Sequence, residues 1–222
     1  MVIDAPYLSA RQIEREADLL LAEYARSRAA AVLPPIPVEE ILEGHLGLCL
    51  DFDDLRTRTG DDNALGALYP ETKRVSVDER LDPTNAPDVL GRFRFTIAHE
   101  VGHWILHRKL LERHARQTGL ILDISPAPAI VCSAGEVKRV SDRQADVFAS
   151  SLLMPRAVLL DVWRARNNGL APRCTSDQDG ELALKWAKEL GSVFDVSTTA
   201  MRIRLEEVGI VRLSSEQSCL FD

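Results

Sequence analysis

Cysteine is scarce in this sequence and nowhere clustered. Cys49, Cys132, Cys174 and Cys219 form no C-x-x-C pair, which excludes a disulfide framework or a cysteine-based zinc ribbon and reads as reduced thiols. Aromatic residues make up only 5% of the 222 positions, and no apolar run approaches a membrane span. Positive charge is in deficit, with 27 Lys+Arg against 34 Asp+Glu and a net charge of −7. Bulk attraction to nucleic acid or anionic lipid is therefore excluded as the main mode of action, although a local basic face is not. The first thirty residues carry Asp4, Arg11, Glu14, Arg15, Glu16, Asp18 and Glu23, which is no charged-then-apolar leader, and a cytoplasmic location is expected. What the chain does contain is 45% apolar and 27% charged residues, in a length sufficient for one real core and a small appended module.

Hydrophobic periodicity organises that length. Ser9 followed by Gln12 has the form of a capping box, and Ile13, Ala17, Leu20, Leu21 and Tyr24 recur at helical spacing, which predicts a helix to about Ala31. Pro34, Pro35 and Pro37 end it, and a short helix from Val38 to about Leu46 follows. Leu48–Phe52, Ala64–Tyr69 and Val75–Val77 read as three strands of a small sheet, with a polar loop from Arg56 to Asn63. Helical patterning returns from Asp88 to about Arg108. Residues 110–140 read as a loop with one strand near Ala129–Cys132. Helices are predicted over Ser141–Met154 and Arg156–Arg166, then a connector from Asn167 to Gly180. Two last helices, Glu181–Leu190 and Ser197–Val208, flank a tight turn at Gly191–Val196.

The chemistry is concentrated in His99, Glu100, Val101, Gly102 and His103, an H-E-x-x-H inside a helical pattern. Residues four apart share a helix face, so both imidazoles can reach one metal ion while Glu100 meets the water held at its open position. Zinc lowers the pKa of that water, and Glu100 takes its proton as it attacks a carbonyl. Five histidines in the whole chain make chance a poor explanation of the pattern. The flanking Ile97, Ala98, Val101, Trp104, Ile105 and Leu106 also predict a largely buried helix, in which paired histidines need a reason.

Three sources of a third ligand exist. Eight residues of helix rise about 12 Å, so His107 is too far from His99 to share an ion with it, and a packing or helix-end role suits it better. His114 lies in a charged stretch with no geometry in its favour. Asp142 and Asp146, four apart on one face of the Ser141–Met154 helix, are the better source. One would ligate and the other would accept the free N–H of a ligating histidine. The competing reading is that Asp142, next to Ser141 in a Ser-x-x-Gln capping box, merely complements the helix dipole.

Three segments together resemble the ImmA/IrrE metallo-endopeptidases: R-F-T-I-A-H-E-V-G-H-W-I-L-H at 94–107, D-x-x-A-D-x-F-A-S-S-L-L-M-P at 142–155, and V-S-T-T-A-M-R-I-R-L-E-E-V-G-I at 196–210. The resemblance covers most of the chain, including Pro37–Leu42 and the small sheet. It implies an α+β, mainly helical zincin-like peptidase domain at 1–166, a connector at 167–180 and a helix-turn-helix-like unit and tail at 181–222. It also implies a gluzincin-like zinc site of His99, His103 and a third ligand at position 142, with Glu100 as general base and Asp146 beside a ligating histidine. The family has Glu where this chain has Asp142. Aspartate is one methylene shorter, so its helix must come closer for the metal to be held.

The C-terminal helices resemble a helix-turn-helix, but residues 181–212 hold five basic and five acidic side chains. Packing or protein recognition is therefore favoured over direct DNA binding. The resemblance implies a zinc endopeptidase whose protein substrate is a helix-turn-helix transcriptional repressor, with cleavage relieving repression in a stress, mobile-element or toxin–antitoxin setting. Two other readings keep the fold: a catalytically weak regulator that binds a partner protein, and a DNA-binding regulator acting through 181–212. Tyr69 and His107 have the chemistry to stabilise an oxyanion.

Overall fold

The computed structural model describes residues 5–118, 130–133, 139–168 and 180–211. It is an α+β molecule, mostly helical, with one small four-stranded sheet, in agreement with the patterning. Its contacts define two compact units, one of Met1–Val32 and Pro37–Leu153, the other of Leu33–Ile36 and Met154–Asp222. The helix Arg156–Arg166 groups with the second unit. Residues 169–179 of the expected connector and the tail from 212 lie outside the described residues, as do Cys174 and Cys219.

In the first unit, α1 (Ala10–Arg28) starts at Ser9, whose hydroxyl accepts from the Gln12 N–H while the Gln12 side chain accepts from the Ser9 N–H. Ile13, Ala17, Leu20, Leu21 and Tyr24 form its buried face. After the prolines, α2 (Val38–Glu40) runs into a wider helical turn, Ile41–His45, which buries Ile41 and Leu42. Strand β1 (Cys49–Asp53) is followed by α3 (Leu55–Thr59), then by β2 (Ala64–Tyr69) and β3 (Arg74–Asp78). The helix α3 occupies what the sequence presents as a polar loop. Asp54 caps it by accepting from the Thr57 N–H, and its one buried apolar residue, Leu55, is too little to register as a periodic pattern.

The long α4 (Leu90–Thr118) runs ten residues past its expected end, through the charged stretch that hides its pattern. A fourth strand, β4 (Ile130–Ser133), and α5 (Val140–Leu153) complete the unit. The sheet order is β1-β3-β2-β4, with β1 parallel to β3 and β2 antiparallel to both of its neighbours. α4 lies against β2 and β3 on one side and α5 on the other, while α5 also packs on α1. Ile97, Ala98 and Val101 of α4 and Ala145, Phe148, Ala149 and Leu152 of α5 are fully buried. Burial of Phe148 or Leu152 contributes about 2–3 kcal/mol each.

Two glycines set how closely these layers meet. A Cβ on Gly102 of α4 would lie 3.2 Å from the Cα and carbonyl oxygen of Ala145, so any side chain there would press α5 back from its present position. A Cβ on Gly66 of β2 would lie 2.7 Å from Glu100 Oε1 and from Thr96 Cγ2, so the strand too is seated on α4 through a missing side chain.

The second unit contains α6 (Arg156–Arg166), α7 (Gly180–Phe194) and α8 (Thr198–Val208). α7 continues through the expected turn because Phe194 at its end is fully buried. α8 is capped by Ser197, whose hydroxyl accepts from the Ala200 N–H. Trp163 and Trp186 meet edge to face with centroids 4.6 Å apart.

Candidate metal centre

One turn of α4 places His99 and His103 with their rings edge to face and their Nε2 atoms 3.0 Å apart. α5 crosses this turn and brings Asp142 Oδ1 to 3.6 Å from His103 Nε2. The three donor atoms lie within 4.8 Å of one another. Ligands bound at about 2.0–2.1 Å in a tetrahedron stand about 3.3 Å apart. Separations of 3.0 and 3.6 Å bracket that value, and two imidazoles with a carboxylate are a zinc donor set, so the residues present fit the ion.

The outer nitrogens of both imidazoles are occupied. His99 Nδ1–H donates to Asp146 Oδ1 at 3.0 Å. His103 Nδ1 lies 3.1 Å from His107 Nδ1, His107 Nε2 lies 2.8 Å from Gln144 Oε1, and the Gln144 amide donates to the Pro6 carbonyl at 2.8 Å. That last donation orients the amide and makes its oxygen the acceptor of the His107 Nε2–H. His107 Nδ1 is then the acceptor, so His103 Nδ1 carries the proton. One proton arrangement thus satisfies both outer nitrogens. In the metal-free chain His99 carries a second proton at Nε2, which His103 Nε2 accepts at 3.0 Å, and a metal would take that proton's place and face the Nε2 atoms of both rings. Partners of this kind fix the tautomer of a ligating histidine and raise its basicity.

Glu100 is fully buried, and among the described residues neither carboxylate oxygen has a hydrogen-bond partner. Burial pushes its pKa up to about 7, with His99 opposing and the Asp142 charge reinforcing the rise. Burial likewise opposes charge on His99, yet Cys132, Asp146 and Glu100 overcome it and hold that group well above its ordinary value. His103 is driven well below its ordinary value by burial, then by His99 and His107, and is neutral. Acceptors gathered around an imidazole in this way make a place for a cation.

No protein-family model matches the chain, and no curated protein matches it in sequence. Among solved structures, a Mycobacterium tuberculosis transcriptional regulator is similar, with a TM-score of 0.49 and 18% identity over 87% of this chain. The match takes in 46% of that protein, so this chain corresponds to less than half its length.

All five residues singled out by spacing, His99, Glu100, His103, Asp142 and Asp146, are brought together. Asp142 faces both ways: Oδ2 accepts the Arg139 N–H at 3.2 Å at the start of α5, while Oδ1 is turned to His103. The capping box expected at Ser141 is not formed. Helix α5 begins one residue earlier, and the Gln144 side chain is drawn to His107 and Pro6. Of the two oxyanion candidates, neither is placed for the task. Tyr69 is buried with Leu55, Ala64 and Ala67, and alternation along β2 puts it on the opposite sheet face from Gly66 and Glu100. Both His107 nitrogens are engaged, which also ends its candidacy as a ligand. The His114 side chain lies outside the described part. Spacing did not point to Gln144, Gly66 or Cys132, which reach the centre from α5, β2 and β4.

Proposed function

We propose that this chain is a zinc-dependent endopeptidase of the ImmA/IrrE kind that cuts a specific protein, a helix-turn-helix transcriptional repressor, and so relieves repression. The observation that carries the reading is a buried carboxylate without a partner, Glu100, on the same turn as two imidazoles whose ring nitrogens converge with Asp142. Zinc held by His99, His103 and Asp142 supplies acidity to a water and polarisation to a carbonyl. Glu100, poised near neutrality, accepts the proton of the attacking water and passes it to the departing amine. Asp146 and the His107–Gln144 pair hold the two imidazoles in the tautomer that ligation needs.

An extended peptide is the substrate form that suits the surroundings. β4 pairs with β2 on one side, and among the described residues its other edge is open. Such an edge aligns a peptide through main-chain hydrogen bonds without demanding a particular sequence. A basic DNA-binding protein is also the partner that a chain of net charge −7 attracts. The choice of a repressor rests on the resemblance of 94–107, 142–155 and 196–210.

Glu100→Gln tests the chemistry on a repressor encoded by a neighbouring gene. Cleavage should fall by about 10²–10⁴-fold, with one zinc per chain retained. Cleavage at the wild-type rate overturns the mechanism. Zinc that stays substoichiometric in the unaltered chain even after metal is added marks it instead as a partner-binding regulator.

A further inference from the structure

Cys132 lies at the edge of the centre, although its isolation in the sequence reads as an inert thiol. The β2–β4 register sets it directly opposite Gly66. Opposed residues of an antiparallel pair point to the same sheet face, and the Gly66 face is the one seated on Glu100, where a Cβ would come within 2.7 Å of Oε1. The side chain lands accordingly, with Cys132 Sγ, a His99 ring nitrogen and a Glu100 carboxylate oxygen all within 4.8 Å of one another. This cluster shares His99 with the His99–His103–Asp142 group but does not take in His103 or Asp142, so the thiol must swing inward to join them on one ion. Within that triangle the Glu100 carboxylate is fully buried and unpartnered. Thiolate is a soft, strong zinc ligand, and His99, His103 and Asp142 leave one tetrahedral position unfilled.

We propose that Cys132 is a fourth protein ligand of that metal, a thiolate in the position that water must take for hydrolysis, so that the chain with Cys132 attached is a latent form. The inference rests on the metal-centre reading above and adds its regulation. As the sulfur–metal bond forms, the thiol proton leaves to solvent. Four protein ligands close a zinc site, whereas three leave it open for chemistry. Cys132 is carried on an edge strand whose ladder shifts register between Ala64 and Gly66. Withdrawal of that strand exchanges thiolate for water without disturbing the two helices that hold the other ligands.

Cobalt(II) bound to the full chain reads the ligand set directly, because thiolate-to-cobalt charge transfer absorbs in the near ultraviolet, apart from the visible bands of any tetrahedral site. The unaltered protein should show both, and Cys132→Ser should lose the near-ultraviolet band and keep the visible ones. Visible bands without charge transfer in the unaltered chain overturn the thiolate and leave the metal centre standing. A charge-transfer band that survives Cys132→Ser belongs to another cysteine and overturns it equally. Absence of both sets of bands removes the metal centre and the thiolate with it. Maleimide labelling of the unaltered protein adds a readout independent of the variant: zinc should slow labelling of Cys132 but not of the exposed Cys49. Equal Cys132 labelling with and without zinc overturns the proposal.

Discussion

A carboxylate buried without a hydrogen bond is tolerated only while it keeps its proton, and Glu100 is such a group in the metal-free chain. Its pKa is about 7 in the folded state against an ordinary 4.5. Between those values the folded chain holds a proton that the unfolded chain has shed. Stability from this group is therefore full below the unfolded value and lost as pH rises through about 7, a change of about 3 kcal/mol. In metal-free protein, Glu100→Gln should match the parent near pH 4 and be the more stable of the two at pH 8, as read by denaturant midpoint. An unchanged pH slope in the variant would assign the titration elsewhere. A second residue-level expectation concerns the proton chain behind His103. His107→Ala or Gln144→Ala should weaken zinc binding by about 10–100-fold in competition with a chromophoric chelator, whereas unchanged affinity confines both residues to packing. His99, Glu100 and His103 are legible in the sequence because their positions depend only on helix pitch. Gln144 is not, since its partners lie 37 positions away in α4 and 138 away at Pro6, and no local period encodes either.

At the level of elements, the close crossing of α4 and α5 decides whether Asp142 reaches the histidines. Aspartate has a short reach, and α4 and α5 meet closely at Gly102. Gly102→Ala would push a methyl group to 3.2 Å from the Ala145 backbone, which cannot yield as a side-chain end can. Despite the better helix propensity of alanine, this variant should lose about 1–3 kcal/mol of stability and bind zinc more weakly. Parent-like values in both chemical unfolding and zinc titration would show that the crossing has slack. The same contrast explains which elements were legible. α1 carries five apolar residues on one face and a Ser9–Gln12 box, so pattern and cap agree. α3 offers one apolar residue in five, and the end of α4 passes through charged residues, so neither announces itself by period. The box at Ser141 had the right letters, but hydrogen bonds to His107 and to the Pro6 carbonyl claimed its glutamine.

Over the whole molecule, charge separates the readings of the C-terminal helices. Residues 181–212 hold five basic and five acidic side chains, but the basic ones are not all at the surface. Arg204 is only 3% exposed; it donates through Nε to the Met154 carbonyl at 3.0 Å and through Nη1 to Glu207 at 3.1 Å. Arg204 and its partner Glu207 cancel one another, and the guanidinium adds nothing to a basic face, in a chain that already carries −7. A unit that grips DNA spends its cations on phosphates, and each phosphate contact adds about −0.9 to the slope of log affinity against log salt. Arg204 instead ties α8 to the chain entering α6, a packing role. The full chain should accordingly leave a duplex DNA probe unshifted in a gel at low salt, where electrostatic binding is strongest. A shift that weakens steeply as salt is added would reverse this assignment and make residues 181–212 a DNA-reading unit. Arg204→Met separates the two roles further. If the guanidinium serves packing, the variant should be destabilised by about 3 kcal/mol or more through the unpaired carbonyl and carboxylate it leaves behind, with no change in the DNA lane.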